Sequence, residues 1–142
     1  SEAVLLTYQS WPAAEAPAVW QRFCAFVAGS ATAWTVKHWA ATMEQNSCGD
    51  CHLHLMLQFT AALDSGSVRF IFEGVRPNAS PNDYLGEGVC RKKLQQSVDR
   101  GMFYVWADKV GTLRLPCGAA CVAANYAPCW MVPPVHARAG WR

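Results

Sequence analysis

Charge is scarce in this chain: only 15% of its 142 residues are Asp, Glu, Lys or Arg, against 52% hydrophobic. A sequence so poor in charge and so rich in apolar groups can bury a sizeable core, which excludes a disordered, solvating tail. Long apolar runs are missing as well, so no segment reads as a membrane-spanning helix and no membrane partner is expected. Internal repeats and a second domain are absent, and residues 1–142 read as one domain of ordinary size. An even cysteine count is lacking: the seven cysteines stand scattered at 24, 48, 51, 90, 117, 121 and 129. That excludes a small disulfide scaffold. With no signal peptide read in it, the chain is expected to keep reduced thiols in an intracellular, nuclear setting. The sequon Asn78-Ala79-Ser80 carries little weight without a secretory context. Ser1 in place of an initiator methionine leads us to expect a piece of a longer protein, with partner domains elsewhere.

The net charge of +2 does not by itself announce a nucleic-acid binder. Its placement is uneven: residues 1–60 hold two basic and four acidic groups, and the remaining 82 residues hold ten basic and six acidic. Arg91-Lys92-Lys93 is the densest basic cluster. Such a run is usually a solvated helix start, and a phosphate-backbone contact is the functional reading beside it.

Along the chain, Val4 to Tyr8 reads as a buried strand broken by Ser10-Trp11-Pro12. Residues 14–28 carry Val19, Phe23, Phe26 and Val27 near helical spacing, with Gly29 as the stop. Trp34 to Met43 reads as a second strand with Glu44 at its end. Gln45 to Asp50 is a polar loop, and His52 to Phe59 is a third strand, together an antiparallel hairpin. Val68 to Val75 fits either a strand or a short buried helix. Pro77 to Gly88 reads as loop. Leu94, Val98, Met102 and Val105 share one face of a helix from about Lys92 to Lys109. Thr112 to Leu115 reads as a last short strand, and residues 116–142 as an irregular tail packed on the domain. Trp11, Trp20 and Trp34 read as packing, with base stacking as the alternative for any that is exposed. The order predicts an α+β fold: a central antiparallel sheet of about five strands, RRM/ferredoxin-like, flanked by helices.

The segment Cys51-His52-Leu53-His54-Leu55-Met56-Leu57-Gln58-Phe59 carries the chemistry. Residues two apart on a strand project to the same face, so His52 and His54 stand side by side, and paired imidazoles suit a divalent metal. Gln58 falls in the same even register and is a candidate for supporting the metal ligands from behind. Two histidines on one strand are, taken alone, as well explained by satisfied core or surface residues.

Several motifs together resemble the HUH endonucleases of the Rep type. Leu5-Leu6-Thr7-Tyr8 is similar to their first motif, and His52-Leu53-His54 to the motif of two histidines around an apolar residue that names the family. Glu44, eight residues before His52, sits where geminivirus-like Rep proteins place an acidic metal ligand. Gln58-Phe59 continues the strand as it does there. Arg76-Pro77-Asn78 resembles a loop ahead of their third motif, and Ala107-Asp108-Lys109-Val110-Gly111-Thr112-Leu113 resembles that motif's end. The resemblance spans Val4 to Leu115. It departs from the family in one respect: Tyr104 stands five residues before Lys109, where the family has three or four, and the residue three before is Trp106.

The resemblance implies a metal-dependent enzyme that nicks single-stranded or hairpin DNA and transfers the strand. It would act in rolling-circle replication or DNA transposition, as a viral Rep or a eukaryotic replitron-type transposase does, with a helicase or other domain in the full protein. His52, His54 and Glu44 would hold Mn²⁺ or Mg²⁺. Tyr104 would be the nucleophile that keeps the 5′ phosphate, and Lys109 would balance charge beside it. Arg91, Lys92, Lys93 and Arg100 are the candidate DNA contacts. Tyr104 alone reads as a core aromatic between Phe103 and Trp106. Two other classes stand beside this reading: a non-catalytic nucleic-acid-binding module, and a zinc-binding partner module. The latter would use Cys48 and Cys51, with Cys117, Cys121, Cys129 and His136 as further structural Zn²⁺ ligands.

Overall fold

The computed structural model describes residues 2–46, 48–64, 66–81, 91–106 and 122–124. It has the expected α+β architecture. Strand β1 (Ala3–Trp11) leads through a single 3₁₀ turn at Ala13–Glu15 into helix α1 (Ala16–Ser30). Strands β2 (Val36–Gln45) and β3 (Cys51–Phe59) form a hairpin, followed by β4 (Asn78–Pro81), helix α2 (Arg91–Trp106) and β5 (Val122–Ala124). The five strands form one sheet in the order β4-β1-β3-β2-β5, and every pairing is antiparallel.

Strands β1 and β3 are central, which is why both read as nearly continuous apolar runs: each is covered on two faces. Strand alternation sorts their side chains. Val4, Leu6 and Tyr8 of β1 pair with Leu57, Leu55 and Leu53 of β3 on one face, and Met43 and Ala41 of β2 join them. Helix α1 covers this face through Val19, Phe23 and Val27, each four apart, and Trp20, three before Phe23, all buried. Aromatic edges lock the layer: Tyr8 meets Phe23 at 5.1 Å, Phe23 meets Phe72 at 5.1 Å, and Trp34 meets Phe70 at 5.0 Å. Trp11, Trp20 and Trp34 are buried in this layer, so their role is packing.

The opposite face carries Ala3, Leu5 and Thr7 of β1, Ala40, Thr42 and Glu44 of β2, and His52, His54, Met56 and Gln58 of β3. Helix α2 lies on it through Val98, Met102 and Val105, packed with Ala3, Ala40 and Met56. Small residues let the helix come close. A Cβ on Gly101 would stand 2.8 Å from both Sδ and Cε of Met56. Gln58 bonds Gln95 early in α2, and Met56 meets Gly101 further along, so the helix runs antiparallel to β3. Its last turn therefore heads toward the His52 and His54 end of the strand.

The structure departs from the sequence reading in four places. β1 continues through Ser10 to Trp11, with a register shift between Gln9 and Trp11. α1 runs past Gly29 to Ser30. The segment expected as loop after Pro77 contributes β4, which pairs with β1 from Thr7↔Asn78 to Val4↔Pro81. It is an edge strand, where a proline and a polar Asn are tolerated. The expected irregular tail contributes β5, paired with β2 from Thr42↔Val122 to Ala40↔Ala124. The ambiguous Val68–Val75 segment resolves as a 3₁₀ turn, Ser67–Phe70, and a Phe72–Val75 bridge around Glu73 and Gly74, both at positive φ. The expected helix end at Lys109 and the strand at Thr112 to Leu115 lie outside the described residues.

Candidate metal centre

The β2–β3 hairpin register explains how residues eight apart meet. Glu44 lies directly opposite His52, and Thr42 opposite His54. Directly opposed residues on one face bring their Cβ atoms to about 5 Å. The turn that sets this register closes with backbone bonds from Asn46 N–H to Asp50 O (2.6 Å) and from Gly49 N–H to Asn46 O (2.9 Å). Gly49 takes φ +97°, a conformation that favours glycine. From the other side, β1 sets Thr7 opposite His54.

Three ligand atoms converge there. His52 Nε2 and His54 Nε2 are 3.1 Å apart. Glu44 Oε2 is 3.4 Å from His52 Nε2 and 3.9 Å from His54 Nε2. Among the described residues this is the one group of three or more His, Cys, Asp or Glu side chains able to hold a metal ion. Around an ion with bonds of about 2.1 Å, neighbouring ligands stand roughly 3.0 Å apart in an octahedron and roughly 3.4 Å in a tetrahedron. The two shorter separations match that spacing, and the donor set of two imidazoles and one carboxylate suits a divalent cation. The group is shielded but reachable: Glu44 and His54 are 9% and 8% exposed, and His52 is half-buried.

The outer ring nitrogens have partners as well. His52 Nδ1 meets Asn46 Oδ1, and His54 Nδ1 lies 3.1 Å from Thr7 Oγ1. An amide oxygen only accepts, so the Asn46 contact assigns the hydrogen of His52 to Nδ1 and leaves its Nε2 lone pair facing the other two ligand atoms. Thr7 and Asn46 were missed in the sequence. Thr7 had a signal in its register position on β1, whereas Asn46 reaches His52 only through the turn geometry.

The other candidate residues sort by position. Gln58 shares the face, but its amide donates to Gln95 Oε1 at 2.9 Å, beyond Met56, and Gln95 in turn bonds Asp99. The groups that touch the histidines' outer nitrogens are Thr7 and Asn46. Tyr104 belongs to the last turn of α2, and its side chain lies outside the described residues, as does Lys109 altogether. Arg91, Lys92 and Lys93 begin α2, and Arg100 is exposed on it. At 1.5 Å per residue the helix start is roughly 20 Å from its last turn.

Tyr8 is fully buried on the α1 face and donates to Phe70 O at 2.7 Å, and burial pushes its pKa well up. It is held away from the three ligands. Cys24, Cys48 and Cys51 are free thiols. Burial pushes the Cys24 thiol up to about 11, and burial followed by the Asp50 charge raises Cys51. Among the described residues no cysteine joins a group of three ligands, and Cys117, Cys121, Cys129 and His136 lie outside them. No described helix is long and apolar enough to cross a membrane. No family model, curated protein or solved structure matches the chain.

Proposed function

We propose that the chain is an HUH-type single-stranded DNA nicking and strand-transfer enzyme. One observation carries the reading: two histidine Nε2 atoms and a Glu44 oxygen converge on one face of the sheet. The direction of α2, whose last turn contains Tyr104 and heads toward that end of β3, supports it. Glu44, His52 and His54 would hold Mn²⁺ or Mg²⁺. A divalent cation there supplies a Lewis acid that polarises a scissile phosphate and offsets the charge that develops during attack.

The chain's own residues do the rest. Tyr104 Oη attacks phosphorus, the bond from phosphorus to the 3′ oxygen breaks, and the 5′ phosphate stays on the tyrosine as a phosphodiester. The phenol gives up its proton and the departing 3′ oxygen takes one, leaving a free 3′ hydroxyl. Because the phosphotyrosine keeps the phosphodiester, the same hydroxyl or another can reverse the step and join strands. Lys109 would balance charge near the tyrosine. Arg91, Lys92, Lys93 and Arg100 would meet the DNA backbone along α2 and contribute salt-dependent affinity.

The test is an adduct assay. Protein is incubated with Mn²⁺ and a pool of random single-stranded and hairpin oligonucleotides, then run on a denaturing gel. A shifted, nuclease-sensitive band is expected with wild type, and none with Tyr104→Phe or after chelation. An adduct that survives Tyr104→Phe removes Tyr104 as the nucleophile. Metal-independent DNA binding without any adduct replaces the enzyme with a non-catalytic binding module.

A further inference from the structure

Thr7 and Asn46 meet the outer nitrogens of the two imidazoles, and they do so in chemically different ways. We infer that both are positioning residues that set which ring nitrogen of His54 and His52 carries hydrogen, and so present the two Nε2 lone pairs to a divalent cation. The inference rests on the metal reading of the Glu44–His52–His54 group.

Asn46 Oδ1 is an obligate acceptor. Its contact with His52 Nδ1 holds the hydrogen there whether or not a cation is bound. His54 faces a hydroxyl, which both donates and accepts. With no cation present and both rings neutral, a His52 hydrogen on Nδ1 puts the hydrogen between the two Nε2 atoms, 3.1 Å apart, on His54, and Thr7 then donates to His54 Nδ1. With a cation between the rings, that hydrogen has to leave Nε2. Rotation of the Thr7 hydroxyl lets Nδ1 take a hydrogen and donate it to Oγ1 with no movement of either side chain. An apolar group at position 7 removes the partner of His54 Nδ1 in both forms; the cation-free ring can answer by changing tautomer or turning, whereas in the cation-bound form Nε2 is committed to the ion and a buried hydrogen on Nδ1 stays unpaired. Fixing the tautomer and orientation of a ligand histidine from its other nitrogen is typically worth ten- to a hundred-fold in metal affinity. The backbone bonds of the Asn46–Asp50 turn do not use the Asn46 side chain, so its replacement leaves the hairpin closed.

The experiment titrates Mn²⁺ into wild type, Thr7→Val, Thr7→Ser, Asn46→Ala and Asn46→Asp, following free Mn²⁺ by electron paramagnetic resonance. Long-range ¹H–¹⁵N spectra of the metal-free proteins read the tautomers. Thr7→Val and Asn46→Ala are expected to weaken Mn²⁺ binding about ten-fold or more, while Thr7→Ser and Asn46→Asp retain it. Metal-free wild type is expected to show hydrogen on Nδ1 of His52 and on Nε2 of His54, and Asn46→Ala to lose the His52 preference. Wild type that binds Mn²⁺ while Thr7→Val and Asn46→Ala bind it within two-fold overturns this inference and leaves the metal centre standing. Wild type that binds no Mn²⁺ overturns the metal centre itself. A hydrogen on Nε2 of His52 in wild type overturns the role of Asn46 whatever the affinities, and this readout survives even if one variant folds poorly.

Discussion

Replacing Tyr8 with Phe removes one oxygen from the middle of the α1 face and leaves the ring where it is. The hydroxyl donates 2.7 Å to the Phe70 carbonyl, both residues are fully buried, and the ring packs edge-on to Phe23 at 5.1 Å and Phe72 at 6.4 Å. The hydrogen bond is worth about 1 kcal/mol net, and stranding a buried carbonyl raises the loss to roughly 1–3 kcal/mol. For a domain of this size that lowers Tm by roughly 3–10 °C. The pH dependence adds a second arm. Burial raises the Tyr8 pKa, so the folded chain keeps a proton that the unfolded chain releases above about pH 10. Folded wild type then binds more protons than unfolded, and its stability falls by about 1.4 kcal/mol per pH unit through this group alone. Tyr8→Phe lacks that loss, so the gap between the two proteins is full below pH 10 and narrows above it. Urea unfolding followed by tryptophan fluorescence at pH 7 and pH 11 measures both arms. A gap under 0.5 kcal/mol at pH 7, or one unchanged at pH 11, would refute the reasoning. The same variant should still form the DNA adduct, because Tyr8 faces away from the three ligands.

Two further outcomes test the other face. Mn²⁺ at a hundred times its dissociation constant should stabilise the fold by about 2.7 kcal/mol and raise Tm by several degrees in a thermal melt. Glu44→Ala or His54→Ala should abolish that increment, and a rise retained in both would place the ion elsewhere. Gly101→Ala gains about 1 kcal/mol of helix propensity and brings a methyl to 2.8 Å from Met56 Sδ and Cε, the flexible end of a side chain that has to turn aside. With that turn available, Gly101→Ala is expected to unfold in urea within about 1 kcal/mol of wild type, and a loss of several kcal/mol would show that Met56 is held rigidly under α2.

Much of the sheet was legible because its signals are local. Alternation in β1 and β3, the polar turn between β2 and β3, and the three-to-four spacing of Val19, Phe23 and Val27 each follow from one element's own geometry. The even register of His52 and His54 was of the same kind. Glu44 was legible only through a resemblance, since its meeting with His52 depends on hairpin register. β4 and β5 were not legible: Asn78–Pro81 and Val122–Ala124 are short, poor in strand formers, and become strands by pairing with β1 and β2. Gln58 was placed on the histidines' face by its even register, which says nothing of distance along the strand. It shares the histidines' face, yet the helix crossing above takes it as a partner for Gln95.

The close seat of α2 on β3 has a consequence for how the molecule tolerates change. One side of the sheet is a thick aromatic layer in which the Tyr8 hydroxyl is buried against the Phe70 carbonyl. The other is a thin seam of alanine, glycine and methionine that runs straight into three ligand atoms. Bulk added to the seam is taken up first by the Met56 side chain and, beyond its reach, by α2, which carries Tyr104 in its last turn. Substitutions on the aromatic side should therefore register as melting temperature, and substitutions in the seam as misalignment, with Met56 and Gly101 acting as the shim that sets the height of the helix above the histidines.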